Sequence, residues 1–233
     1  MHINLEDSLL PYKYLIGQVF LDKIPGCKTV VNKVRPISSP WRTFDMELLA
    51  GDDNTEVVLQ EGNCTFAFDY RKVYWNSRLR FEHSRLINTF SPSDVVADMF
   101  CGVGPFAIPA GKRGCSVYAN DLNPDSYKAL LQNCIRNHVE NRVFPSNLDA
   151  REFILSLGKR NIPITQIIMN LPSAAEYFCD VFNQSFGKVK FYSEILLLSN
   201  RISLTLSLVC TVICLVIKAI PFKIVSKYFF LST

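Results

Sequence analysis

The hydrophobic patterning predicts an α/β protein: a small, mostly β unit over residues 1 to about 90, then a parallel-rich sheet with helices on its faces. Three observations carry the prediction. In "CTFAFDYRKVYW" Phe66, Phe68 and Tyr70 alternate with Thr65, Ala67 and Asp69, the period of a half-buried strand. From Asp94 onward strand-like and helix-like segments alternate, which implies right-handed crossovers and a parallel sheet. Between the first of those strands and its helix lies "DMFCGVGPFAIPA", Asp98 to Ala110. It reads as a strand end, a glycine turn and a helix start, the geometry on which nucleotide-like cofactors sit.

The elements follow in order. A helix or helical turn is expected around "LPYKYLIGQVFLDK", then short strands in "KTVVNKV" and "FDMELLAG", the second closed by the turn composition Gly51-Asp52-Asp53-Asn54. The alternating region reads as strand "DVVADMF", a helix from Pro105, strand "CSVYAND", helix "NPDSYKALLQNCIRNHV", strand "RVFPSNLD", helix "AREFILSLGKR" and strand "ITQIIMN". In the second of those helices Tyr127, Leu130, Leu131, Cys134 and Ile135 are expected on one buried face. A ligand would lie at the carboxyl ends of the strands.

Composition excludes several classes. Charged residues make up 20% and hydrophobic residues 48%, which excludes a largely disordered chain. The formal charge of +4 permits a polyanionic partner without demanding one. The eight cysteines contain no C-x-x-C pair and no Cys/His spacing of a zinc site. The opening "MHINLEDSLLPYKYL" lacks the basic region and apolar run of a signal peptide. Together these favour free thiols in a reducing compartment and no metal.

From about Gly187 the character changes. The stretch 202–217, "ISLTLSLVCTVICLVI", has no charge and is bracketed by Arg201 and Lys218. It is shorter than the roughly 18 residues of a confident membrane span, and its first half alternates Ser/Thr with Leu as a strand would. A buried or poorly folded segment is therefore favoured over a membrane anchor. The expected organisation is 1–90, a small α+β unit; 91–186, a core binding a nucleotide-like cofactor; and 187–233, an apolar tail of different character.

The glycine loop Gly102-Val-Gly104-Pro-Phe-Ala107 formally fits G-x-G-x-x-A, so a dinucleotide and a nicotinamide oxidoreductase are rivals. Pro105 removes an N–H donor that a phosphate would use, and Asp98 puts a carboxylate where a dinucleotide brings negative charge. S-adenosylmethionine inverts these demands, having no phosphate and carrying a cationic sulfonium and amino group. Asp121, ending the next strand, can accept from two ribose hydroxyls, and Asp149, ending the third, can meet an adenine amino group. Asn170, in "MNLP" after the fourth strand, can read a planar base edge through its C=O and NH₂. The plain alternatives are helix N-caps for the aspartates and a turn residue for Asn170.

The blocks "VYWNSRLRFEHSR", "DMFCGVGPFAIPA", "ANDLNP" and "MNLP", in that order, resemble the archaeal and eukaryotic tRNA (guanine-37-N1) methyltransferases over roughly residues 1 to 185. The resemblance implies a Rossmann-type class I methyltransferase domain that uses S-adenosylmethionine to methylate N1 of the guanosine following the anticodon. Guanine N1 carries a proton at neutral pH, so attack on the methyl needs a general base. Glu82 matches the family's base, Arg42 the arginine that stabilises charge at guanine O6, and Asn170 the amide that orients the base. Tyr74 and Arg78 match residues lining the substrate pocket. His83, Asp121, Leu122, Asp149, Ala150 and Asn170 fall on cofactor-contact positions, with Asp98, Gly102 and Gly104 at the loop. Two plain alternatives stand beside these roles: Arg42 as a solvated strand arginine, and Glu82 paired with Arg78 at i, i+4 on a helix.

The same resemblance implies tRNA as partner, a monomer, and residence in the cytoplasm and nucleus, with the mitochondrial matrix as a further compartment. "FAFDYRKVYWNSRLRFEHSR" interleaves aromatics with Arg71, Lys72, Arg78, Arg80 and Arg85, as stacking on bases and contact with phosphates require. Cys101 stands where family members commonly have alanine. The N-terminal module resembling a tRNA-elbow reader has no counterpart, and past about Phe186 no match to the family's closing strands is seen. These departures predict a truncated or alternatively ended form with weakened activity, and keep an inactive cofactor-binding or membrane-tethered remnant as the alternative.

Overall fold

The computed structural model describes residues 1–34, 43–171, 177–178 and 181, together with the backbone of two strands at 192–199 and 202–209. Strand β1 (His2–Ile3) leads through a 3₁₀ segment at Asp7–Tyr12 into helix α1 (Lys13–Lys23), followed by β2 (Thr29–Lys33) and β3 (Met46–Gly51). The three strands form one sheet, with β1 parallel and β3 antiparallel to β2. Phe20 and Leu21 of α1 close its small core over Val30, Leu49 and Ala50.

β4 (Glu56–Glu61) and β5 (Cys64–Asp69) form an antiparallel hairpin. The alternation read in the sequence is real: Cys64, Phe66 and Phe68 are buried, and Thr65 and Ala67 less so. β4 was not among the expected strands: Val57, Val58 and Leu59 follow one another without the period-2 alternation of a half-buried strand, and Val58 is largely exposed. Helix α2 (Arg80–Thr89) then leads into the parallel sheet, introduced by the 3₁₀ turn Ser77–Leu79.

That sheet consists of β6 (Val95–Asp98), β7 (Ser116–Asn120), β8 (Val143–Ser146) and β9 (Gln166–Ile168). The order is β8-β7-β6-β9, every pair parallel. Helices α3 (Ala107–Lys112), α4 (Pro124–Asn137) and α5 (Ala150–Lys159) make the crossovers between β6 and β9. This is the α/β, parallel-rich architecture that the sequence predicts. The two faces separate by strand period: Val96 and Val117 join α3, α4, α2 and the β4–β5 hairpin in one core, and Ala97, Met99 and Ile167 join α5 in the other.

Two details differ from expectation. The helix expected from Pro105 begins at Ala107: Gly104 C=O takes the Ile108 N–H at 3.0 Å, but Pro109 has no N–H for Pro105 C=O, so the continuous ladder starts with Ala110 N–H on Phe106 C=O at 3.1 Å. On α4, Leu131 and Ile135 are exposed, and the buried stripe is Ser126, Ala129, Leu130, Asn133, Cys134 and Asn137. The helix is rotated from its expected face because Asn133 and Asn137 hydrogen-bond the free edge of β5.

Past β9, β10 (Tyr192–Ser199) and β11 (Ile202–Val209) pair antiparallel, with Tyr192 opposite Val209 and Ser199 opposite Ile202. The first half of the uncharged stretch is thus a strand, and 210–217 lies outside the described residues. No helix among the described residues is long and apolar enough to cross a membrane.

Candidate cofactor cleft

β6 stops at Asp98 and the chain turns sharply beneath the sheet's carboxyl edge. Gly102 and Gly104 take φ of 55° and 97°, the left-handed region that side-chain-bearing residues avoid. At Gly104 an added Cβ would lie 2.7 Å from Leu130 Cδ1 and 2.9 Å from Ile108 Cδ1, so the glycine also permits close packing of the loop on α4. At Gly102 nothing stands within 4 Å of such a Cβ, and the residue opens onto a cleft.

The loop is held by side chains of neighbouring strand ends. Asp121 Oδ2 accepts from Gly102 N–H at 2.7 Å, and its Oδ1 accepts from Asn123 N–H at 2.9 Å. Asn120 bonds both backbone groups of Leu148, each at 3.0 Å, tying the end of β7 to the loop after β8. Asn133 donates to Val103 C=O at 3.2 Å. These amides fix the rim without using a lysine or arginine.

His83, Gly102, Asp121, Leu122, Asp149, Ala150 and Asn170 all line this one cleft, with Tyr74. Asp98 lies beneath it, fully buried, and Gly104 supports the loop from behind. Asp149 also N-caps α5, its Oδ1 accepting from Arg151 N–H at 2.8 Å, so the plain alternative and the cleft position coexist. Asp121 caps nothing, and each of its oxygens keeps a second lone pair for a ligand.

The electrostatics select the ligand's charge. Among the described residues, no lysine or arginine lines the cleft, whereas Asp121 and Asp149 do. A pyrophosphate would meet carboxylates with no compensating cation, and a cationic ligand meets the opposite. Burial pushes Asp98 up to about 8 and raises Asp121 as well. Asn170 Oδ1, at the wall of the cleft, is buried without a hydrogen-bond partner among the described residues, which marks polar capacity directed at something other than the protein. The wall also carries the aromatic rings of Trp75, Phe100, Phe106 and Phe178, beside the aliphatic Leu79 and Leu171, a surface suited to a planar base.

The residues assigned to the nucleoside substrate are less closely gathered. Tyr74 lines both this cleft and a larger adjoining groove; exposed Arg78 lines only the groove, with Lys28, Lys33 and Phe44. Glu82 lines neither. Its partner is Arg85, whose Nε donates to Oε2 at 2.8 Å, not Arg78 as the i, i+4 alternative has it, because Arg78 lies in the 3₁₀ turn before α2. Arg42 lies outside the described residues.

Sequence reasoning missed Trp75, Phe106, Asn120 and Asn123 in this site. Asn123 Nδ2 donates to Lys72 C=O at 2.7 Å, joining the loop after β7 to the loop after β5. The signal available was local: both asparagines flank Asp121 in "ANDLNP".

Residues 57–193 match the TRM5/TYW2 methyltransferase domain, and residues 1–55 match the TYW2 N-terminal domain. A tRNA (guanine(37)-N(1))-methyltransferase of Dictyostelium discoideum is 51% identical over 187 residues, covering 80% of this chain and 41% of that protein. The complex of aTrm5 and tRNALeu superposes with a TM-score of 0.67 at 31% identity, covering 77% of this chain and 51% of that one. Methanocaldococcus jannaschii Trm5 in complex with adenosine does so with a TM-score of 0.65 at 30% identity, covering 79% and 54%. The chain spans about two fifths of the length of the curated relatives that it matches.

Proposed function

This chain belongs to the TRM5/TYW2 methyltransferase family, and from that premise we propose that its cleft binds S-adenosylmethionine and that it methylates N1 of guanosine 37 in tRNA. The observation that carries the reading is the cleft itself: acceptors and aromatics at the carboxyl edge of a parallel sheet, with no lysine or arginine among its described lining residues. Relatives and structures support it, being tRNA (guanine(37)-N(1))-methyltransferases and a Trm5 bound to tRNA. When bound, the cofactor supplies an electrophilic methyl on a sulfonium.

The chain's own groups then have separable tasks. Asp121 and Asp149 accept from ribose and adenine donors, and the aromatic wall takes the base. Glu82 would receive the proton that guanine N1 gives up on methylation. For that, its carboxylate must turn from Arg85 to the substrate. Arg42 offsets negative charge developing on O6 and Asn170 orients the guanine edge. The tRNA approaches along the groove bearing Arg78, Lys28 and Lys33, where cations meet phosphates and Phe44 and Tyr74 offer stacking surfaces.

Calorimetric titration with S-adenosylhomocysteine and with NADH, together with nucleoside mass analysis of tRNA after incubation, tests the reading. Binding of the first alone, and a guanosine heavier by one methyl group, are expected. Binding of NADH alone restores the oxidoreductase reading and overturns this one.

A further inference from the structure

Glu61, the last residue of β4, is buried, its side chain only 7% exposed, a costly place for a carboxylate unless a partner compensates it. Its partner is His83, itself 5% exposed, with Nδ1 and Glu61 Oε1 2.5 Å apart. The imidazole is packed on further sides: Phe106 meets it edge-on, centroids 4.7 Å apart at 80°, and Trp75 lies 6.3 Å away at 60°. His83 lines the cofactor cleft; Glu61 does not, and lies in a separate pocket on the other side of the imidazole.

An ionised carboxylate can only accept, so Glu61 in that form requires the proton on Nδ1. With Nδ1 engaged, Nε2 is the ring nitrogen left for a ligand, and in the neutral ring it is an acceptor. That matches the rest of the cleft, whose Asp121 and Asp149 are acceptors too. S-adenosylmethionine carries matching donors in its ammonium group and ribose hydroxyls.

We infer that Glu61 is a positioning residue for cofactor binding: acting through His83, it fixes the tautomer and orientation in which Nε2 accepts from the ligand. The inference rests on the reading of the cleft as an S-adenosylmethionine site. It also gives the β4–β5 hairpin a role in cofactor binding without any contact to the cofactor, since β4 holds α2 at the residue adjoining Glu82.

The test is calorimetric titration of S-adenosylhomocysteine into the full chain and into Glu61→Gln, Glu61→Ala, His83→Ala and the Glu61→Gln/His83→Ala double variant. Thermal unfolding establishes that each variant is folded, and nitrogen NMR of labelled histidine reads the His83 tautomer. Glu61→Ala is expected to weaken binding about 10- to 100-fold, the loss of a charge-assisted hydrogen bond, and Glu61→Gln less. The NMR signal is expected to show Nδ1 protonated in the parent chain and not in Glu61→Ala. In the His83→Ala background Glu61→Gln is expected to change nothing further, which a merely structural role would not produce. Folded Glu61 variants that bind within twofold of the parent overturn the inference and leave the cleft reading standing, as does an additive loss in the double variant. A parent chain that binds no S-adenosylhomocysteine overturns both.

Discussion

Asn137 of α4 holds Thr65 of β5 by both backbone groups: its Oδ1 accepts the Thr65 N–H at 2.9 Å, and its Nδ2 donates to the Thr65 C=O at 2.7 Å. One turn earlier Asn133 Oδ1 accepts from Ala67 N–H at 2.8 Å. Two helix side chains thus serve where a third strand would, and they weld the hairpin carrying Glu61 to the helix that packs under the glycine loop. Asn137→Ala leaves a donor and an acceptor of β5 without partners at a partly buried site, and about 2–3 kcal/mol of stability should be lost. Chemical denaturation reads this directly; a loss under about 0.5 kcal/mol would mean water replaces the amide at no cost.

The two loop glycines should respond differently to alanine. Gly104→Ala forces a Cβ into Leu130 and Ile108 at a φ of 97°, and about 2–4 kcal/mol of destabilisation is expected. Gly102→Ala meets open space and carries only the left-handed backbone cost, about 1–2 kcal/mol, while its methyl group enters the cleft. The first variant should fail in thermal unfolding, and the second mainly in S-adenosylhomocysteine titration. Equal stability losses would contradict the packing argument.

Asp98 carries a pH signature. Burial raises its carboxyl from 3.8 to about 8, so between those values the unfolded chain has lost a proton that the folded chain keeps. Stability contributed by this group therefore falls as pH rises from about 4 to about 8 and is level beyond. Relative to the parent without ligand, Asp98→Asn should gain stability progressively over that interval, the difference vanishing below about pH 4. Denaturation midpoints of both chains at pH 4, 6 and 8 check this; a constant offset would place the ionised form inside the fold.

Much of this was legible in the sequence. The parallel sheet follows from the alternation after Asp94, and Asp98 and Asp121 were marked by standing at successive strand ends; Asp149, expected to end the third strand, lies beyond β8 as the N-cap of α5. What was not legible arises from contacts between distant segments. The buried face of α4 cannot be read from its apolar residues, because the helix spends two asparagines on a strand some seventy residues away. Nothing local in the sequence distinguishes Glu61 as a glutamate that meets a histidine twenty-two residues on. β4 shows no alternation in the sequence because Val58, which faces solvent, is as apolar as the inward-leaning Val57 and Leu59 beside it.

The role proposed for Glu82 separates from its ion pair with Arg85 by kinetics. Glu82→Gln should slow methyl transfer about 10²- to 10⁴-fold with cofactor affinity little changed. Arg85→Ala removes the partner that holds the carboxylate away from the substrate, and should leave the rate within about tenfold. A rate loss under threefold for Glu82→Gln, measured in single turnover, would leave Glu82 only its contact with Arg85.

The central claim is tested most directly by incubating the chain with methyl-labelled S-adenosylmethionine and an unmodified tRNA transcript carrying guanosine at position 37, beside the same transcript with adenosine there. Label in the first transcript alone is the predicted result. Label in neither, with S-adenosylhomocysteine still bound by the cleft, would contradict the assignment of this chain as a guanosine-37 methyltransferase.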